Sequence, residues 1–176
     1  MAAEGRRAGR RSPSEEEARA LASATRIRIL RMCLKEELTN KEIATRLGAN
    51  PATVLHHVRK LVATGFLEAQ GARAGARGAL EVPYLATRKS WRLNLDASDL
   101  RLRSAMIGAF VSEVGQVPAS AEVEISRLGV RLGREDHDRL LQLIRDFLDE
   151  VAGREAAEDA IQYSIFVAVH PDPVQG

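Results

Sequence analysis

The sequence predicts a mainly α protein with a small β component, of the α+β class. Three observations support this class. Apolar residues recur at the 3.6-residue period of a helix over about residues 14–64. From residue 66 to residue 85 they follow the two-residue period of strands instead. The chain has 176 residues, of which 45% are apolar and 28% charged, so it can form a packed core and is not disordered throughout.

Four helices are predicted in the first 64 residues. The first covers about 14–22 and has Ser14 as its N-cap, followed by three glutamates where the helix dipole favours negative charge. The second covers about 24–35. Its inward stripe at helical spacing consists of Ile27, Leu30, Cys33 and Leu34.

The third and fourth helices are separated by a short turn. Thr39 is the expected N-cap of the third helix, with Glu42 three residues later as its capping-box partner, and a glycine marks its end. Asn50 is the expected cap of the fourth helix, which has Pro51 at its first position and extends to about Thr64. The order is therefore a helix, a turn and a second helix.

A β-hairpin is predicted directly after the fourth helix. Its strands are 66–70 and 80–85, and the glycine- and alanine-rich segment between them carries only Arg73 and Arg77 as long side chains. Pro83 lacks a backbone N–H, so we expect the second strand to lie at a sheet edge.

The second half of the chain predicts one helix and then a small strand–helix–strand unit. The first helix covers about 96–115 and ends before Pro118. A strand is expected at about 121–132, an amphipathic helix at about 134–152 and a closing strand at about 160–170. We therefore divide the chain into a mobile basic arm (1–12), a first domain (13–95) and a second α+β domain (96–176).

Charge is distributed unevenly along the chain. Residues 1–103 carry 20 Lys+Arg and 11 Asp+Glu, whereas residues 104–176 carry 6 and 13. A basic first half is typical of proteins that bind a polyanion. A single cysteine, no apolar stretch long enough for a membrane span and no signal-peptide pattern together predict a cytoplasmic protein without a membrane partner.

The fourth helix has two faces when its residues are placed at 100° steps. Val54, Val58 and Leu61 form an apolar stripe, and the opposite face presents small, hydroxyl, imidazole and cationic side chains. The major groove of DNA accepts a helix of this kind, with cations on phosphates and short polar groups on base edges. Helix, turn, helix and hairpin in this order predict a winged helix-turn-helix.

Four motifs stand out in the same residues: Ala22 to Leu30 (Ala-x-x-Thr-Arg-x-x-Ile-Leu), Glu42-Ile43-Ala44 with Leu47-Gly48, Thr53-Val54 before His56-His57, and Leu61 with Gly65-Phe66-Leu67. With these motifs the chain resembles the DNA-binding domain of ArsR-type transcriptional regulators. The resemblance covers roughly residues 18–92 and implies a homodimeric winged-helix repressor with 51–64 as recognition helix and 66–85 as wing. The segment 38–42 has no thiol where metal-sensing members carry a Cys-x-Cys-type site, so we expect no metal and no other cofactor.

Two sets of residues follow as predicted contacts of a sequence-specific regulator of double-stranded DNA. The DNA-binding set is Thr39, Asn40, Lys41, Asn50, Ala52, Thr53, Leu55, His56, His57, Arg59, Lys60, Arg73 and Arg77. The homodimer set, on the apolar side of the 96–115 helix, is Leu100, Ile107, Phe110, Val111 and Val114.

Several alternatives stay open. The exposed helix face could bind a protein instead of DNA, and the second domain could bind a small-molecule effector. A metal site could form at Asp136, His137 and Asp138, although acidic residues at a helix start are explained by the dipole. Cys33 could be a redox sensor only if its thiol were exposed. The sequence has no phosphate loop and no nucleophile with a base, so we expect no enzyme activity. An enzyme built on the second domain, with the first domain as its DNA anchor, is the remaining rival.

Overall fold

The computed structural model describes residues 11–75, 78–95, 98–155, 157 and 159–173. Within them the chain forms two compact units that divide between Val117 and Pro118. The first unit holds most of the helices and all of the described strands, which confirms the α+β class. None of the described helices combines the length and the apolar character that crossing a bilayer requires.

The described helices of the first unit follow the predicted order. They are α1 (Glu15–Leu21), α2 (Ala24–Met32), α3 (Asn40–Leu47), α4 (Pro51–Ala63) and α5 (Leu100–Val114). The described strands are β1 (Leu38–Thr39), β2 (Leu67–Ala69), β3 (Arg73–Ala74), β4 (Leu80–Glu81) and β5 (Pro83–Ala86). A 3-10 turn at Lys89–Arg92 follows β5.

Helix α2 ends three residues earlier than the sequence predicts. Cys33 is its C-cap, and the Cys33 carbonyl accepts a hydrogen bond of 2.8 Å from the Ala86 N–H of β5. The chain therefore leaves the helix to meet a strand that lies far along the sequence. Periodicity within the helix does not reveal such a contact.

The sheet corrects the expectation for Pro83. Strand β5 lies between β1 and β2, in the order β1-β5-β2, with Pro83 opposite Thr39 and Tyr84 opposite Ala69. It is therefore a central strand and not an edge. Pro83 is its first residue, where a missing N–H interrupts no ladder.

The core of the first unit lies between α2, α3, α4 and the sheet. Ile29 and Ile43 are fully buried, and Phe66 is 1% exposed. Helix α5 packs its Leu102, Ala105 and Ala109 face inward. The compact unit thus extends to Val117. The domain boundary that the sequence predicts, between residues 95 and 96, remains a prediction.

The second unit corrects the expected strand–helix–strand arrangement. Helix α6 (Arg134–Gly153) forms as predicted, but none of its residues is buried. Segments 121–132 and 160–170 pair in no strand within the described residues. Alternation specifies an extended segment with one apolar side, but a strand also needs a partner. Most of these apolar side chains stay exposed, including Ile125 at 79% and Tyr163 at 74%.

A buried carboxylate joins α1 to the turn after β5. Glu17 is 6% exposed and forms ion pairs with Arg11 (2.6 Å) and Lys89 (2.7 Å). It also accepts the Ser14 N–H at 2.8 Å as part of the α1 capping box. The hydrogen bonds from Arg11 and Lys89, and then that from Ser14, hold the pKa of Glu17 well below its usual range.

The lowered pKa of Glu17 predicts acid-sensitive stability. A carboxyl with a depressed folded-state pKa stabilises the fold above its unfolded pKa of about 4.3, and this contribution is lost as pH falls further. We expect Glu17→Gln to lower the free energy of unfolding at pH 7 by about 1–3 kcal/mol. Urea denaturation should show this difference narrowing between about pH 5 and pH 2.

Glu16→Gln is the matched control, because Glu16 is exposed on the same helix. It should change the free energy of unfolding by no more than about 0.5 kcal/mol at either pH. A Glu17→Gln difference that is the same at pH 7 and pH 3 would contradict the role assigned to the Glu17 charge.

Candidate nucleic-acid interface

Helix α3 and helix α4 are each started by a side-chain cap, as the sequence predicts. The Thr39 hydroxyl accepts the Glu42 N–H, and the Glu42 carboxylate accepts the Thr39 N–H at 2.7 Å. Gly48 ends α3 with a φ of 61°, which side chains rarely tolerate. Asn50 then caps α4 by accepting the Ala52 N–H at 2.8 Å. These local bonds fix the turn between the two helices.

A side-chain bond ties the starts of the two helices together. Asn40, the first residue of α3, donates from Nδ2 to the Pro51 carbonyl at 2.9 Å. Its other polar atom, Oδ1, is buried without a partner in the described structure. Asn40 therefore links the start of α3 to the start of α4. This bond indicates a role in positioning α4, and the DNA contact expected of Asn40 remains a prediction.

The structure corrects the expected role of Thr39 from a DNA contact to the cap of α3. It is 2% exposed and its hydroxyl is occupied by the capping bond. A side chain in this position cannot reach a duplex. Lys41, the next exposed residue on α3, keeps its predicted place on the surface.

Helix α4 presents the two faces that its sequence predicts. Val54, Val58 and Leu61 are each 0% exposed and form part of the hydrophobic core. Thr53, His56 and Arg59 are exposed. Of the remaining predicted contacts, Asn50 and Ala52 are also exposed, whereas Leu55, His57 and Lys60 are half-buried.

The two adjacent histidines of α4 lie in different environments. His56 is exposed, whereas Nδ1 of His57 lies 3.4 Å from Nη1 of Arg26 on α2. Burial, and then the charges of Arg26 and His56, lower the pKa of His57. A neutral imidazole can accept from the guanidinium at Nδ1. This placement favours a structural role for His57 between α2 and α4.

Arg26 is a positioning residue that the sequence reasoning did not single out. Its guanidinium donates to the Ala20 and Arg19 carbonyls at the end of α1, in addition to facing His57. It therefore connects three helices. The Thr-Arg pair of the opening motif was the available signal, but sequence alone does not show which carbonyls an arginine reaches.

The wing arginine that the structure describes is paired with a carboxylate of α3. Nη2 of Arg73 on β3 lies 2.8 Å from each Glu42 oxygen. The capping bond from Thr39 and this pairing hold the pKa of Glu42 below its usual range. The wing is thus tied to the helix-turn-helix through the same carboxylate that caps α3. Arg77, the other predicted wing contact, lies outside the described residues.

Helix α5 carries an exposed apolar surface opposite its buried face. Leu100 is 65% exposed, Val111 is 62% and Ile107 is 43%. Phe110 and Val114, the other two predicted dimer residues, are half-buried. An ion pair of 3.0 Å between Arg31 and Glu113 holds this helix on α2.

The described structure supports neither of the two alternative sites, the metal site on α6 and the redox-active Cys33. Among the described residues no group of three or more His, Cys, Asp and Glu side chains is close enough to hold a metal ion. His137 instead has Nδ1 3.4 Å from Oδ1 of Asp138. Cys33 is 0% exposed, and burial raises the pKa of its thiol to about 12.

Comparison with known proteins identifies a domain but not a family for the whole chain. Residues 21–70 match the family described as a helix-turn-helix domain, which is less than half of the chain. No curated protein matches the chain at a significant level.

Solved structures resemble the chain only distantly. Reduced HlyU from Vibrio cholerae is 20% identical over 53% of this chain and 81% of its own, with a TM-score of 0.34. An ArsR-like transcriptional regulator from Rhodococcus is 18% identical over 84% of this chain and 96% of its own, with a TM-score of 0.35. The transcriptional regulator Tm0710 from Thermotoga maritima is 17% identical over 73% and 75%, with a TM-score of 0.34. Similarity at this level supports no inference about function.

The burial of Cys33 predicts a thiol that does not react in the folded protein. A disulfide reagent such as DTNB requires an accessible thiolate, and the Cys33 thiol with a pKa of about 12 supplies almost none at pH 8. We expect modification to be at least about a hundredfold slower than for the unfolded chain in urea. Modification of the native protein at the unfolded rate would revive the redox-sensor hypothesis.

Proposed function

We propose that the chain is a homodimeric transcriptional repressor that binds an inverted-repeat operator in double-stranded DNA through α4. The observation that carries this proposal is the division of α4 into a fully buried Val54–Val58–Leu61 stripe and an exposed Thr53–His56–Arg59 face. The helix-turn-helix match over residues 21–70 supports the same reading. Catalysis forms no part of this proposal.

In this proposal the DNA contacts of α3 and α4 divide into two kinds. Thr53 and His56 are short polar side chains suited to base edges in the major groove. Arg59 and the exposed Lys41 are cations suited to phosphates, which supply affinity without sequence information. Ala52 and half-buried Leu55 add small apolar contacts that suit a thymine methyl. Specificity then resides in a few short side chains.

The proposed dimer uses the exposed apolar side of α5. Leu100, Ile107 and Val111 are three large apolar residues on one helix that stay exposed within the unit. Two-fold packing of this helix against a second copy would bury them and would place two α4 helices on one duplex. Recognition helices of such dimers enter major grooves about 34 Å apart, which is why we expect an inverted repeat.

Selection of bound sequences from random duplex DNA tests the function. We expect an inverted repeat to be enriched, and log K to fall by about 0.9 per neutralised phosphate as log salt rises. A purified protein that binds no duplex even in dilute buffer would sink the proposal. Capture of a protein by the exposed α4 face in its place would favour the interaction-module alternative.

Two variants of the exposed face separate its base contacts from its phosphate contacts. His56→Ala should lower affinity for the selected sequence by about tenfold, with little change on random DNA, because a base-edge contact is worth about 1–3 kcal/mol. Arg59→Ala should weaken both DNAs similarly and flatten the salt dependence by about one phosphate. Fluorescence anisotropy over a salt series measures all four affinities. Equal losses on both DNAs for His56→Ala would contradict its role.

The Arg73–Glu42 pair predicts competition between a carboxylate and DNA phosphates. We propose that Glu42 holds Arg73 in the free protein and releases it to a phosphate on binding. Glu42→Gln keeps an oxygen that can accept the Thr39 N–H, and so preserves the cap while removing the charge. It should raise DNA affinity about threefold to tenfold.

A double-mutant cycle isolates the contribution of Arg73. Removing any negative charge near DNA strengthens binding, so Glu42→Gln is compared in wild-type and Arg73→Ala backgrounds. Glu37→Gln is the matched control, because Glu37 is an exposed carboxylate directly before β1. The Glu42→Gln gain should shrink at least by half in the Arg73→Ala background. An unchanged gain would show that Glu42 acts through the general field and not through Arg73.

A further inference from the structure

A cavity of about 480 Å³ lies in the first unit, away from the α4 residues assigned to DNA. It is open to solvent, and its lining comes from three segments: the stretch that precedes α1, the turn that follows α4 and the turn that follows β5. The α4 residues proposed to contact DNA do not line it. Its lining consists of Arg11, Gly65, Thr87, Lys89, Arg92 and Leu93.

The lining is positively charged. Three of the six lining residues are cations, and none is acidic. The neighbouring carboxylate of Glu17 pairs with Arg11 and Lys89 and so offsets one of the three charges. The cavity and its surrounding ion pairs therefore keep an excess of about two positive charges.

Within the described residues, the cations keep hydrogen-bond donors that no protein acceptor takes up. Arg11 spends three N–H groups, two on Glu17 and one on the Ser12 carbonyl, out of five. Lys89 spends two of its three, on Glu17 and on the Thr64 carbonyl. The described structure gives the Arg92 side chain no hydrogen bond or ion pair.

Glu17 makes the site rigid before any ligand arrives. Its side chain is 8% exposed, and the two cations it holds are fixed against α1. Backbone bonds add to this, since Arg11 N–H donates to the Arg92 carbonyl at 3.2 Å and Asn94 N–H donates to the Arg11 carbonyl at 2.8 Å. Donors that are already fixed lose less conformational entropy when they bind.

We propose that this cavity is a binding site for a phosphate group. Tetrahedral oxyanions accept several charge-assisted hydrogen bonds at once, and an arginine fork such as that of Arg92 suits them. At pH 7 a free phosphate carries about two negative charges and a backbone phosphodiester carries one, so the excess of about two positive charges can neutralise either. The phosphate is either a free group or part of a nucleic-acid backbone, and the experiment below separates these sources.

Occupancy of this site would couple the wing to α4. Gly65 follows Thr64, the C-cap of α4, whereas Thr87 and Arg92 follow the last wing strand. The Thr87 hydroxyl already donates to the Gly65 carbonyl at 2.8 Å. An anion held between these segments would stiffen the joint that sets the wing against α4.

Titration with inorganic phosphate at fixed ionic strength tests the site. We expect saturable amide shifts at Gly65, Thr87 and Leu93 in ¹H–¹⁵N spectra of the full chain. Arg92→Gln should weaken phosphate binding about tenfold or more, because it removes charge-assisted bonds, and Arg92→Lys should restore part of it. Arg103→Gln, which removes an exposed arginine of α5, is the matched control and should leave binding unchanged.

A second arm with a short duplex identifies the source of the phosphate. If Arg92→Gln and Arg103→Gln weaken duplex binding equally while phosphate saturates the site, the ligand is a free anion. If the duplex shifts the same amides and Arg92→Gln costs more duplex affinity than Arg103→Gln, the ligand is the nucleic-acid backbone. The proposal is overturned if neither phosphate nor the duplex gives saturable amide shifts at this site. It is also overturned if Arg103→Gln weakens phosphate binding as much as Arg92→Gln does. The phosphate arm stands even if the chain binds no duplex.

Discussion

The burial of one stripe on α4 is the constraint on which the rest of the first unit depends. Val54, Val58 and Leu61 are fully buried, so the rotation of this helix about its own axis is fixed by packing. The opposite face must then point outward. Exchanging the two faces would remove three core side chains from the protein and bury a histidine and an arginine without partners, which costs far more than the fold can lose.

Glu42 shows how one side chain can serve both the fold and the interface. Its carboxylate completes the capping box of α3 and also holds Arg73 of the wing. The position of the wing is therefore linked to the start of the helix-turn-helix. Asn40 adds a second link, from the start of α3 to the start of α4. Polar bonds of this kind set angles between elements that apolar packing alone leaves less well defined.

The sequence predicts features that depend on residues close together in the chain. It does not predict contacts between residues that are far apart in the chain. The Thr39–Glu42 box and the Asn50 cap are signals within four residues, and both are present in the structure. Strand β1, the bond from Cys33 to Ala86 and the pairing of Arg73 with Glu42 each join distant parts of the chain. A periodic pattern indicates which face of a segment is buried, but not which other element packs against that face. Thr39 is an example: the sequence predicts it as a DNA contact, but it lies in β1 opposite Pro83 and is 2% exposed.

The second unit carries this lesson one step further. Segments 121–132 and 160–170 have the alternation of strands, and within the described residues neither has a strand beside it. An extended segment with an apolar side and no neighbouring ladder is a template on which another chain can add. Because neither segment has a strand partner among the described residues, its apolar alternation is suited to pairing with another molecule, and a high protein concentration would favour that outcome.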